Sequence, residues 1–283
     1  MSDSEPGILY VVGTPIGNRG DLTPRARETL TTVAAIVAED TRHVQRLLAE
    51  GEHVERVSLN AHNETERIPN LLRRLEGGES LAVVSDAGVP AISDPGGRLV
   101  AAAHEQGVSV RAVAGPSAVT AALSVAGLPA NRFAFEGFLP TKGEARRARL
   151  RAIASDPRTV VLFESPRRIA GLLADLAEAC GGDRQASVSR ELTKRFETNR
   201  RGTLAELAEH FQTTVDEQRG ELTLCVAGSP EPEGEAEKAL DTDALLEALL
   251  PDLSPSRAAR VAARATGDRK NALYQRALEL SGD

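Results

Sequence analysis

Tryptophan is missing from this 283-residue chain, and the other aromatic residues are few: two Tyr and six Phe, 3% in all. Stacking platforms for nucleic-acid bases are therefore scarce, and recognition of RNA would have to rest mainly on charge. The two cysteines, Cys180 and Cys225, have neither CxxC spacing nor a histidine pair nearby. That excludes a disulfide framework and a zinc ligand set, and both read as buried small apolar residues. The five histidines are scattered, His62 in the segment His62-Asn63-Glu64 among them, and form no ligand set, so no metal site is expected. No apolar run approaches the roughly 20 residues of a membrane span. GxGxxG, the Gly-Lys-Ser/Thr end of a P-loop and the GxSxG elbow are all missing, which argues against a dehydrogenase, an NTPase and a Ser/His/Asp hydrolase.

What remains is the composition of a globular protein, 41% hydrophobic and 27% charged. The length exceeds the usual size of one domain, so two domains with a cleft between them are expected. The amino terminus, Met1-Ser2-Asp3-Ser4-Glu5-Pro6, carries acid where a targeting peptide would carry base, and a cytoplasmic protein is expected. Net charge is −7, but two basic islands stand out. One runs from Lys142 to Arg151 and includes Arg146 and Arg147. The other runs from Ser254 to Arg276 and includes Arg257 and Arg260. With only four Lys in the chain, these islands suit either phosphate contact or solvated helix faces.

Along the chain, apolar runs alternate with helical segments. Strands are predicted at 8–12, 35–38, 56–59, 81–84 and 108–113, with helices at about 23–33, 43–50, 67–76 and 97–106 between them. This βαβ alternation implies a parallel sheet covered by helices. A loop, Ala114-Gly115-Pro116-Ser117-Ala118, with Ser117 as a possible cap, leads to a helix at 119–126. The domain boundary is placed here, giving domains at 1–115 and 116–228. The second domain is predicted to hold strands at 132–136, 159–163, 185–190 and 221–226, with helices reaching Ser155, at 167–180 and at 203–211. A Pro/Glu/Gly-rich linker at 229–238 precedes a helical tail at 239–283, with helices at 243–250 and 256–280 and a weak point at Gly267.

The most informative stretch is Ser85-Asp86-Ala87-Gly88-Val89-Pro90-Ala91-Ile92-Ser93-Asp94-Pro95-Gly96, directly after the run Leu81-Ala82-Val83-Val84. A buried strand opening into such a loop sets backbone amides and carboxylates at the carboxyl edge of a sheet, where α/β folds hold ligands. With Gly13-Thr14-Pro15-Ile16-Gly17-Asn18, Ala38-Glu39-Asp40-Thr41-Arg42, Gly115-Pro116-Ser117-Ala118, Gly137-Phe138-Leu139-Pro140, Glu164-Ser165-Pro166-Arg167-Arg168 and Arg190-Glu191-Leu192-Thr193-Lys194, it makes seven motifs in order. Over about residues 8–228 the chain resembles the ribosomal RNA methyltransferase branch of the tetrapyrrole methylase superfamily.

That resemblance implies two α/β domains with S-adenosylmethionine in the cleft between them, and usually a homodimer. The implied reaction is methylation of the ribose 2′-hydroxyl of a cytidine in the decoding region of 16S ribosomal RNA, in the small ribosomal subunit. Carried over by position, the cofactor would meet Pro15, Asp86, Ala87, Gly88, Val89, Ser117 and Ala118, with Leu162 and Leu224 near the adenosine. Candidates for acid-base work are Glu39, Asp40, Glu64 and Glu191, with His62 a further option. Lys194 and Arg42 could position phosphate or lower the pKa of the hydroxyl. Each acid could equally be a salt bridge or a helix cap. RNA contacts would fall to Arg42, Arg146, Arg147, Arg257 and Arg260. The chain departs from the pattern at Asn60, where a histidine or acid often precedes the HNE element. A tetrapyrrole-type methylase acting on a small molecule and a non-catalytic RNA-binding assembly protein remain alternatives. The Thr-Pro-Ile-Gly-Asn and Ser-Asp-Ala-Gly elements differ from those of the tetrapyrrole branch and favour RNA.

Overall fold

In the computed structural model, residues 6–48, 51–214, 217–230 and 242–281 are described. The acidic first five residues and most of the expected linker lie outside them. The chain divides into two compact units, 1–229 and 230–283.

The first unit begins with β1 (Ile8–Val12), α1 (Pro24–Thr32), β2 (Ala35–Ala38), α2 (Thr41–Leu47), β3 (Glu55–Ser58), α3 (Glu64–Glu76), β4 (Leu81–Val84), α4 (Gly97–Glu105) and β5 (Ser109–Val113). These strands form a sheet in the order β3-β2-β4-β1-β5, and every pairing is parallel. All carboxyl ends therefore lie on one edge. β2 and β4 are buried throughout, as expected of a parallel sheet covered on both faces. On one face Leu9, Val37, Leu81 and Val83 pack with Leu71, Leu72 and Leu75 of α3 and Leu99 of α4. On the other, Val12, Ile36, Ala82 and Val84 pack with Ala26 and Leu30 of α1 and Val44 of α2. α1 starts where Thr23 accepts a bond from Ala26 N and Pro24 needs no N–H partner.

The chain continues through α5 (Ala118–Ala126), β6 (Phe133–Phe138), α6 (Gly143–Ser155), β7 (Thr159–Glu164), α7 (Ile169–Cys180), β8 (Gln185–Arg190), β9 (Thr198–Thr203), α8 (Leu204–Thr213) and β10 (Leu222–Val226). Here the sheet is mixed, in the order β6-β7-β10-β8-β9, with only β6 and β7 parallel. Its β9, Thr-Asn-Arg-Arg-Gly-Thr, has no apolar alternation and is absent from the sequence reading. It is an edge strand, exposed along most of its length, held by ladder bonds to β8. One face of this sheet packs on α6, α7 and α8. The other, carrying Val161 and Cys225, packs on α5 together with Ile16 from the loop after β1. Cys225 is buried, and burial pushes its thiol up to about 12, so it acts as a small apolar residue. Cys180 is only partly buried.

The second unit holds α9 (Thr242–Leu249), α10 (Pro255–Thr266) and α11 (Lys270–Ser281) around Leu246, Ala258, Ala262, Leu273 and Ala277. The expected single helix over 256–280 is two helices. Gly267, at φ +79°, ends α10 in the left-handed conformation that favours glycine. No described helix is long and apolar enough to cross a membrane.

Candidate active site

Three loops meet at the carboxyl edge of the parallel sheet. The loop after β1 and the loop after β4 are joined at Thr14 and Gly88, which exchange backbone hydrogen bonds of 2.8 and 3.1 Å. The loop after β5 passes so close that a Cβ on Gly115 would stand 2.6 Å from the carbonyl of Gly13. Only glycine at both positions lets the two backbones cross.

The loop after β4 is held in an unusual shape. Gly88 and Gly96 have positive φ, and so do two residues with side chains, Ala91 at +68° and Ser93 at +64°. Such conformations cost roughly 1–2 kcal/mol each and persist only where the surroundings enforce them. The enforcing contacts are visible. Ser85 Oγ donates toward the carbonyls of Ala87 and Gly88, and Glu64, buried at the start of α3, accepts from Gly96 N at 3.2 Å. Glu64 thus ties down the amide of Gly96, the N-cap residue of α4, which has no side chain of its own to cap the helix.

Between the two sheets lies a cavity of about 350 Å³. Its walls come from Ile16, from Ala87, Gly88 and Val89, from Ile92, Ser93 and Asp94, from the start of α5 at Ser117 to Val119, and from the second sheet, with Phe138, Phe163 to Pro166 and Gly220 to Thr223. That volume falls in the range of small-molecule sites, and its lining is mainly apolar with a few polar groups.

Of the residues expected at the cofactor, Ala87, Gly88, Val89, Ser117 and Ala118 line this cavity. Ser117 stands at the N-cap position of α5 without making a side-chain cap bond. Pro15 is not in the lining; its neighbour Ile16 is. Leu162 and Leu224 face each other across β7 and β10 in the core beneath α7 and α8. Side chains alternate along a strand, so Phe163, one residue after Leu162, and its partner Thr223, one residue before Leu224, reach the cavity. Asp86 also turns away. Its carboxylate accepts from Asp40 N at 3.2 Å and stands 3.2 Å from His43 Nδ1, tying the loop after β4 to the one after β2.

None of the acid-base candidates lines the cavity. Glu39 is exposed beside it. Asp40 is clasped by Arg42, at 2.6 to 3.0 Å, and the guanidinium holds its carboxyl far below the usual range. His62 is exposed at the start of the α3 cap, and Glu64 is a cap. Glu191 accepts from Lys194 Nζ and from Glu221 N, both at 2.9 Å, and Lys194 also reaches Glu221 at 3.2 Å. This cluster ties the loop after β8 to the residue before β10, and the same loop meets the loop after β1 where Asn18 N donates to Thr193 Oγ1 at 3.1 Å.

The acids that do line the cavity are Asp94, Glu164 and Glu221. Glu164 is fully buried. One oxygen accepts from Ser165 N at 2.7 Å, and the other stands 3.0 Å from Arg168. Asp94 is half-buried, and burial pushes its carboxyl up to about 6, opposed by a bond from Ser85 and reinforced by the carboxylates of Glu39 and Asp86. On the sequence, Asp94 or Ser93 reads as a cap for the helix starting near Gly97 and not as a site residue, since spacing alone does not tell which of the loop's acids turns inward; α4 starts after Gly96 with no side-chain cap bond.

Among the expected RNA contacts, Arg146 is committed to Asp175 at 2.6 Å and to the Pro140 carbonyl, and its side chain is largely covered. Arg147 pairs with Glu144 but stays exposed. Arg257 and Arg260 lie three apart on α10, exposed and without an acidic partner among the described residues.

A parallel sheet and a mixed sheet closing on a cavity at the strand ends define a methyltransferase fold of the tetrapyrrole type. The cobalamin biosynthetic enzyme cobalt precorrin-4 methyltransferase superposes with a TM-score of 0.58 at 18% identity, covering 78% of this chain and 94% of its own. Uroporphyrin-III C-methyltransferase from Thermus thermophilus, complexed with S-adenosylhomocysteine, superposes at 0.54 with 21% identity, covering 77% and 96%. Residues 8–208 match the Tetrapyrrole (Corrin/Porphyrin) Methylases, and residues 236–281 match the RsmI C-terminal HTH domain. Ribosomal RNA small subunit methyltransferase I of Pseudomonas aeruginosa is 47% identical, with 98% of each chain covered. Its counterpart in Xylella fastidiosa is 50% identical, covering 96% of this chain and 99% of its own. The chain belongs to the tetrapyrrole methylases and, within them, to the family of ribosomal RNA small subunit methyltransferase I.

Proposed function

We propose that this chain transfers a methyl group from S-adenosylmethionine to the ribose 2′-hydroxyl of a cytidine in the decoding region of 16S ribosomal RNA. The observation that carries the reading is the cavity at the strand ends, lined by five of the residues that the resemblance assigns to the cofactor. The lining fits such a group. Gly88 leaves backbone bare where a Cβ would crowd Ile16 at 3.3 Å, and the walls are mainly apolar, as an adenosyl moiety requires. Ala87, Gly88, Val89, Ser117, Ala118 and Thr223 are the residues that would hold it.

When bound, the cofactor supplies an electrophilic methyl on a cationic sulfur. The chain's own residues do the rest. The Thr14–Gly88 bridge and the Glu64 cap fix the loop, so the walls need little rearrangement on binding. Holding two reactants in line is worth several kcal/mol of barrier. Phe138, exposed at the rim of the cavity, offers a ring face to an incoming nucleoside. The bare arginines of α10 suit phosphate contacts.

In this reading residues 1–115 and 116–228 are the two domains around the cofactor, residues 229–238 link them to the helical tail at 239–283, and the protein works as a homodimer in the cytoplasm. The test is incubation of the purified protein with labelled S-adenosylmethionine and small ribosomal subunits from cells lacking the enzyme, followed by nucleotide mapping. Label on one cytidine ribose is expected. Label on a base, or none while calorimetry shows cofactor binding, would overturn the RNA 2′-O reading.

A further inference from the structure

A ribose hydroxyl is a weak acid, so its methylation needs a group to take the proton. The three cavity acids differ in what already holds them. Glu164 is bound to Ser165 and paired with Arg168, and Glu221 extends into solvent toward Lys194. Asp94 alone among them has no cationic partner among the described residues.

The aim of Asp94 is set by its neighbours. Ser93 before it is left-handed, Pro95 after it restricts it to extended backbone, and Gly96 is pinned by Glu64. The second sheet makes room for this shape. β6 breaks register between Phe135 and Gly137, and Gly137, at φ +62°, leaves only 3.1 Å between its missing Cβ and Ser93 Oγ. The two left-handed residues with side chains, Ala91 and Ser93, both precede the carboxylate, with Ile92 and Phe138 exposed at the same rim.

We propose that Asp94 is the proton acceptor of the methyl transfer, a role that rests on the reading above. As the ribose O2′ forms its bond to the methyl carbon, the carbon–sulfur bond breaks and its electron pair stays on sulfur, neutralising the sulfonium. The O2′ proton passes to the Asp94 carboxylate, which becomes a neutral acid and later releases the proton to water. Burial, helped by Glu39 and Asp86 on neighbouring loops, favours that protonated form, while the Ser85 hydroxyl favours the ionised one.

The experiment compares wild type, Asp94→Asn and Asp94→Glu in single-turnover methyl transfer from pH 5 to 8.5, with cofactor affinity measured by calorimetry on each. Asp94→Asn is expected to lose about 100-fold or more in rate, the usual contribution of a positioned base, while cofactor affinity stays within about threefold. The acid limb of the wild-type profile, near pH 6, should vanish in Asp94→Asn, and Asp94→Glu should recover part of the rate. An Asp94→Asn rate within about threefold of wild type, an unchanged acid limb, or a rate loss matched by lost cofactor affinity would each overturn the proposal. Failure of the functional reading itself shows separately, as absence of ribose labelling by the wild type.

Discussion

Thr14 and Gly88 are bound to each other through both of their backbone groups, Thr14 N to Gly88 O at 2.8 Å and Gly88 N to Thr14 O at 3.1 Å. This one bridge ties the loops of the adjacent strands β1 and β4 into a single wall of the cavity. Gly88 holds φ +82°, where a side chain is strained, and a Cβ would press Ile16 Cγ2 at 3.3 Å. Gly88→Ala should therefore cost about 1–2 kcal/mol in chemical denaturation and weaken cofactor binding in calorimetry. Unchanged affinity would remove this wall from the cofactor site.

Glu64 gives a prediction of opposite kind. As a buried cap for Gly96 N, it contributes through shape and a hydrogen bond acceptor. Glu64→Gln keeps an acceptor and should retain methyl transfer near the wild-type rate. Glu64→Ala leaves a buried N–H unsatisfied and should lose about 1–3 kcal/mol of stability. A Gln variant that folds and binds cofactor but transfers no methyl would restore Glu64 as a base.

At the loop after β8, burial would raise the Glu191 carboxyl, but the bonds from Lys194 and the Glu221 backbone outweigh it and the net shift is downward. Burial would likewise lower the Lys194 ammonium, but Glu191 and Glu221 outweigh it and hold it above its usual range. A depressed acid contributes stability that is present above its unfolded pKa and lost as pH falls through the folded one. A raised base contributes below its unfolded pKa and loses it in strong alkali. Lys194→Met should thus be less stable than wild type at pH 7, with the gap closing below the ordinary glutamate pKa of 4.5. Denaturation midpoints from pH 3 to 8 check this; a gap constant across the range would mean that the pair contributes packing alone.

The sequence reading succeeded where local pattern and burial agree. The apolar runs at 35–38 and 81–84 are parallel strands buried throughout, and that at 8–12 is a parallel strand buried only at Leu9 and Val12. An apolar run read in order with helices leaves little choice of topology. It missed β9 because an exposed edge strand of polar residues is held only by its partner β8, which no local window contains. The site divides in the same way. Gly88 and Ser117 lie where backbone geometry must be special and were legible. Leu162 and Leu224 fell one position from the residues lining the cavity, and a one-residue offset in a strand reverses the face. The polar candidates were least legible, since Glu64, Glu191 and Asp86 look alike in sequence and differ only in what surrounds them.

Arg257 and Arg260 on α10 are open to solvent in the helical unit and carry a prediction about salt. If both contact RNA phosphates, the full chain with Arg257→Gln and Arg260→Gln should bind its RNA more weakly, and the slope of log affinity against log salt should shrink by about 1.4, at roughly 0.7 per contact for single strands. The parallel double variant at Arg146 and Arg147 should change the slope less, because Arg146 is held by Asp175. Equal slopes for wild type and the α10 variant would leave those arginines as a solvated face.

The stability of the protein should also report on Asp94 without any substrate. Its carboxyl rises from an ordinary 3.8 to about 6 in the folded chain. Between those values the folded state binds more protons than the unfolded one, so this group makes stability fall as pH rises through that window. Asp156, Glu144 and Asp243, which are held low by arginines, act in the opposite direction below their ordinary values of 3.8 and 4.5 and so overlap only the acid end of this window. They cancel when wild type is subtracted from Asp94→Asn. The variant should match wild type near pH 4, gain on it progressively to pH 6, and keep a constant advantage above that. A difference that does not change from pH 4 to 7 would mean that Asp94 is as well solvated folded as unfolded, and its carboxyl would then not be poised near neutral pH.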